Sequence, residues 1–183
     1  ATGSMLTISP PVGETNLFTY RGSQIINPPF VVTHFIENKQ AKVVVVRVSL
    51  QNIVPSEVRV PKYVIRFQAP VETSNASCEL HEDSEDTQEW TYDTAKRQVV
   101  WTISDLFGQT EVSARFRFIF DSGLPADPEQ LLGPISVTTE IKDFIQSGMK
   151  VESVTVSSSG GQVDAKKYFR ERTITSNYIF QLS

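Results

Sequence analysis

The chain reads as an all-β protein, and three observations say so. Apolar residues recur at a period of two over long stretches, as in Lys42–Leu50 and Glu111–Phe120. β-Branched and aromatic residues dominate these stretches. Breakers such as Asn27-Pro28-Pro29 and Ser157–Gly161 stand between them, while the i, i+3, i+4 spacing of an amphipathic helix is nearly absent. A β-sandwich of roughly ten to twelve short strands buries such alternating faces best.

Taken in order, Leu17–Arg21 is a short strand candidate and Phe30–Ile36 a second. Lys42–Leu50 is the strongest: Val44, Val46, Val48 and Leu50 share one wholly apolar face, the expected core face, while Val43, Val45 and Arg47 share the other. Val58–Val60 is expected as a strand ended by Pro61, with Tyr63–Phe67 following. Glu79–Glu89, which includes Glu82, Asp83, Glu85 and Asp86, reads as a solvated loop or an edge. Trp90–Tyr92 leads through a turn at Asp93-Thr94-Ala95 to Gln98–Ile103, and Ser104–Gln109 is expected to break the sheet. In Glu111–Phe120, a long alternating strand, Val112, Ala114, Phe116, Phe118 and Phe120 share one side and Ser113, Arg115, Arg117 and Ile119 the other. Asp121–Pro134 is a long connection in which Pro125–Gln130 has the composition of one helical turn. Three strands then finish the chain, within 133–141, 147–156 and 166–180.

Composition narrows the function classes. With 183 residues, the chain is long enough for a real core, and its formal net charge of −4 argues against non-specific nucleic-acid binding. The lone Cys78 leaves no intrachain disulfide framework and no thiolate zinc site, and neither His34 nor His81 has a second histidine at ligand spacing. No run of 18 apolar residues is present. The opening Ala-Thr-Gly-Ser resembles a tag remnant ahead of Met5, and Asn75-Ala76-Ser77, without a secretion signal, is read as a chance sequon.

No constellation points to catalysis. The serines lie in neither GxSxG nor SxxK, the Ser157–Gly161 loop lacks the lysine and helix of a phosphate cradle, and the acidic stretch lacks the glycine of a calcium loop. No cofactor is expected. Trp101, within Val99-Trp101-Ile103, reads as core, and Trp90 as half-buried. Two basic groups remain. Lys39, Lys42, Arg47, Arg59, Lys62 and Arg66 lie on or near central strands, where such residues commonly solubilise an outer face and otherwise offer a contact to a partner or to acidic lipid. At the C-terminal end, Lys167, Tyr168, Arg170 and Arg172 form a basic-aromatic cluster. Placed on a strand, Tyr168, Arg170 and Arg172 would share one face; this is either a peptide-binding edge or an ordinary terminal strand.

The order of these segments resembles the mu homology domain, the cargo-binding domain of the medium subunits of clathrin adaptor complexes, of stonin- and muniscin-type endocytic adaptors and of a coatomer subunit. Pro10–Arg21 resembles the family's PPDGEF…L..YR segment, Pro29-Phe30-Val31-Val32 its LPFRV strand, and Ala41–Leu50 its long valine-rich strand. Gln98–Ile103 is similar to IVWKI, Gly133–Val137 to PPISMNFEV, and Ser147–Val151 to SGLKVRYL. Tyr168-Phe169-Arg170 stands where the family has Trp-Val-Arg, and Tyr178 near its final tyrosine. The resemblance implies an elongated antiparallel β-sandwich fold with long loops and an inserted second subdomain: 5–26 and 142–183 in the first, partial subdomain and 27–141 in the insert, after a tag remnant at 1–4. It implies a non-enzymatic adaptor domain, cytoplasmic and peripheral at membranes or coated vesicles, binding cargo or accessory-protein peptides or coat subunits. The stretch that in the family's adaptor members carries lipid-contacting lysines is here the acidic Ser77–Glu89, which would repel a headgroup, so a weak contact with acidic phospholipid is expected instead at Lys39, Lys42, Arg59, Lys62 and Arg66. The family's first strands, which receive the tyrosine of a YxxΦ signal, have no counterpart here. An unpaired sheet edge would then favour self-association. The alternatives are a structural piece of a coat without cargo recognition, and a β-sandwich enzyme or carbohydrate-binding module.

Overall fold

In the computed structural model, residues 5–9, 11–16, 19, 27–80, 87–123 and 132–180 are described. Two sheets face each other. The first has the order β1 (Phe30–Gln40), β2 (Val43–Asn52), β7 (Glu111–Phe120), β4 (Thr73–Leu80). The second runs β11 (Arg172–Phe180), β8 (Ile135–Lys142), β3 (Arg59–Gln68), β6 (Gln98–Phe107), β5 (Gln88–Asp93). A short hairpin of β9 (Val156–Ser158) and β10 (Gly161–Val163) stands apart from both. All pairings are antiparallel. The expected strand at Leu17–Arg21, the helical turn at 125–130 and the carboxylates at 81–86 lie outside the described residues.

The core lies where period-two alternation from both sheets converges. Val44, Val46, Val48 and Leu50 are fully buried, facing Tyr63, Ile65, Phe67, Val99, Trp101 and Ile103 from the opposite sheet. From β7, Ala114, Phe116, Phe118 and Phe120 point inward, while Val112 packs at the core margin. Phe116 is the aromatic centre, with ring contacts to Phe67 at 5.1 Å, Trp101 at 5.9 Å and Trp90 at 6.4 Å. Trp101 is core as expected, and its indole Nε1 donates to Gln88 Oε1 at 3.0 Å, so that its buried polar atom has a partner.

Several boundaries differ from those the sequence suggests. Pro61 does not end a strand: Arg59–Gln68 is continuous. The ring fits because β8 pairs only with Tyr63–Arg66, and the β6 ladder passes over Pro61, so the missing N–H breaks no ladder bond. Nor does the sheet break at Ser104, since β6 runs to Phe107 and turns at Gly108-Gln109. Glu79 and Leu80 belong to β4, an edge strand, and Gln88 and Glu89 open β5, the edge of the other sheet. β4 has weak sequence signals because only Ala76, Cys78 and Leu80 pack toward the core, between Ser, Asn and Glu. In the 147–156 stretch only Val156 is in a strand. Val151 and Val154 are exposed there; alternation gives a strand only where a neighbouring edge takes the backbone bonds.

Candidate interaction surface

Among the described residues β11 occupies the outer edge of the five-stranded sheet, paired with β8 on one side and with no strand on the other. Its inward residues Tyr178 and Phe180 hold it to the sandwich. Phe30 of β1 meets their rings at 6.1 and 6.0 Å, and meets Tyr63 at 5.6 Å. At the other end, Thr173 Oγ1 donates to Phe144 O at 2.7 Å and accepts from Gln146 N at 3.2 Å, while Asp143 N donates to Glu171 O at 2.8 Å. Gln146 Nε2 reaches Asn27 O at 3.0 Å. Segment 143–146 is thereby strapped against the entry to β11.

The structure places the C-terminal cluster differently from a single strand face. β11 starts only at Arg172, so Lys167, Tyr168 and Arg170 precede it on an extended, exposed segment, Tyr168 at 85% exposure. Arg172 alone stands on the sheet, 3.5 Å from Glu140. The physical reason is the partner: β8 ends at Lys142, opposite Arg172, and among the described residues no strand continues alongside 166–171. Among the described residues Lys167, Tyr168 and Arg170 have no ion pair.

The central basic residues do not form one patch either. Lys39 and Lys42 lie at the β1–β2 turn, at one end of the sandwich. Arg59 lies at the opposite end, paired with Asp105 at 3.1 Å and stacked over Phe107 at 5.5 Å. Lys62 and Arg66 lie on the outer face of the five-stranded sheet, because Tyr63, Ile65 and Phe67 between and beyond them point inward. Arg47 belongs to the outer face of the other sheet, over the Phe35 ring at 5.4 Å. That face carries a residue the sequence reading missed: Glu37 bridges Arg47 and Arg115, the latter at 2.8 Å. A register shift between Ile36 and Asn38 places Glu37 between both guanidiniums, and nothing in local periodicity announces it.

Among the described residues no three His, Cys, Asp or Glu come together as metal ligands, and no helix is long and apolar enough to cross a membrane. Burial pushes the Cys78 thiol up to about 12, with Glu79 adding to the effect. A thiol held so far from ionisation is a packing group rather than a nucleophile.

What the fold and surface define is a β-sandwich with an open, decorated edge. The chain belongs to the family described as the adaptor complexes medium subunit family, whose sequence model matches residues 2–182. It is similar to the AP-4 complex subunit mu of Arabidopsis thaliana, 23% identical over 177 residues, covering 97% of this chain and 39% of that protein. Thus it spans well under half the length of that relative. Two solved structures share the fold. The yeast delta-COP-I mu-homology domain gives a TM-score of 0.56 at 13% identity, over 84% of this chain and 57% of that one. The Fcho1 mu homology domain of Danio rerio, solved with a bound Eps15 peptide, gives 0.52 at 12% identity, over 82% and 50%. The all-β architecture is therefore of the mu-homology type.

Proposed function

We propose that this chain is a non-enzymatic interaction domain of a vesicle-trafficking adaptor, working in the cytoplasm at the surface of membranes or coated vesicles. In this reading it binds extended peptides of cargo or accessory proteins, or a neighbouring coat subunit. One observation carries it: among the described residues no strand pairs with the outer edge of β11, and exposed Lys167, Tyr168, Arg170 and Arg172 stand along its approach. An open edge offers backbone donors and acceptors to an incoming strand, and a tyrosine beside guanidiniums adds stacking and carboxylate contacts. Family membership, and the peptide bound by the zebrafish Fcho1 domain, support the same reading.

The division into a partial first subdomain, 5–26 with 142–183, and an inserted one, 27–141, belongs to this proposal. It is supported by the core, since every fully buried apolar side chain among the described residues lies between Phe30 and Ile141. Val151, Val154, Val156 and Val163 beyond it are exposed, Val156 and Val163 as paired neighbours of the β9–β10 hairpin. A contact with acidic phospholipid draws less support, because Lys39, Lys42, Arg59, Lys62 and Arg66 are spread over two ends and two faces.

Titration with fluorescent tyrosine-based peptides tests the proposal. Saturable binding that Arg170→Glu weakens is the expected result. Absence of saturable binding to every such peptide favours instead a purely structural piece of a coat.

A further inference from the structure

Like charges directly opposite one another on a sheet are destabilising. The strand registers bring two such pairs together. On the four-stranded sheet Arg47 faces Arg115, and Glu37 answers both, with a side chain only 19% exposed. On the five-stranded sheet Lys142 faces Arg172. There the nearby carboxylate is Glu140, 3.5 Å from Arg172, and Lys142 has no ion-pair partner among the described residues. Lys62 and Arg66 lie on the same outer face and likewise lack one. Leaving aside Arg59, which is paired with Asp105, four cations of β3, β8 and β11 therefore meet one carboxylate, in a chain whose net charge is −4. Between them stand Ile174 and Ile179, 53% and 58% exposed; Ile179 shares a row with Ser136 and Arg66.

We infer that this half of the outer face docks an acidic polypeptide segment, one of whose carboxylates takes between Lys142 and Arg172 the place that Glu37 takes between Arg47 and Arg115. Isoleucines interleaved with cations suit a segment in which acidic and β-branched residues alternate. The same face argues against an anionic membrane as occupant, because Glu89 and Asp93 of β5 would be pressed onto it. This surface shares Arg172 with the edge proposed above but includes neither Tyr168 nor Arg170, and the edge site does not include Lys142, so Arg170→Glu tests the edge reading and Lys142→Glu tests this one.

The test uses a fluorescent peptide of alternating glutamate and valine, its glutamine counterpart, and vesicles of phosphatidylserine in phosphatidylcholine. Expected is saturable binding of the glutamate peptide, unaffected by Arg170→Glu, lost on replacing glutamate by glutamine, and weakened about tenfold by Lys142→Glu. Because Lys142→Glu also turns a repulsive pair into an attractive one, the free protein should melt about 1–2 °C higher. That readout shows the variant to be folded, and Lys142→Gln should fall between. Unchanged peptide binding in Lys142→Glu, or binding to the vesicles and not to the glutamate peptide, overturns the inference.

Discussion

Gly108 shows how much a single residue settles. At the turn from β6 to β7 a Cβ on this glycine would sit 1.9 Å from Pro55 O, so backbone passes directly over it. Around it, buried Asn52 donates from Nδ2 to Phe107 O at 2.9 Å and accepts the Tyr63 hydroxyl on Oδ1 at 3.0 Å. Gln109 Nε2 donates to Ile53 O and Val54 O, each at 2.9 Å. This knot fastens the loop after β2 to the turn after β6. Gly108→Ala should destabilise the fold by about 3 kcal/mol, read as a lower urea midpoint with an unchanged m-value. A destabilisation below about 0.5 kcal/mol would mean that the loop moves aside freely. The sequence shows a glycine here but not its task, because Pro55 and Gly108 are distant in the chain and meet only after the sheets pack.

At the scale of elements, β2 and β7 were legible because a buried strand declares itself by one apolar face, and their inward residues are the ones the alternation marks. β4 was not, because Ala76 and Cys78 are small and the strand's outward residues are polar. Residues 166–171 mislead in the opposite direction: the composition of a strand is present without an edge to pair with. The strap at 143–146 depends on Thr173, whose hydroxyl both donates and accepts. Thr173→Val keeps the shape and leaves Phe144 O and Gln146 N without that partner, at a cost of about 1–2 kcal/mol. Hydrogen exchange should then accelerate in 143–148 and at the start of β11 while β2 and β7 keep their protection. Equal acceleration throughout would show that the strap and core open as one unit.

Across the whole molecule, the pH dependence nearest neutrality follows from two partly buried groups. Burial lowers the His34 pKa below 6.5, so as pH falls through 6.5 the unfolded chain takes up a proton that the folded chain refuses, and stability declines. Burial, with Glu79, raises Cys78 from 9.0 to about 12, so above pH 9 the unfolded chain releases a proton first and stability declines again toward 12. Urea midpoints should form a plateau between about pH 6.5 and 9 with a fall on either side. Cys78→Ala should delay the alkaline fall to above pH 10, where burial that raises Tyr63 above 10.0 takes over, and His34→Gln should flatten the acidic limb. Limbs unmoved by these substitutions would assign the pH dependence to other groups.

By itself the sequence determined the all-β class, the faces of β2 and β7, the core role of Trp101 and the family resemblance. These rest on local alternation and residue order, which survive without knowledge of partners. Only the tertiary structure decided that Arg170 and Arg172 do not share a strand face and that Arg59 is far from Lys42. It also showed Lys62, Arg66, Lys142 and Arg172 together on one outer face. Those facts depend on which strand lies beside which and in what register, and hydrogen bonds across a sheet join residues that sequence separation keeps apart.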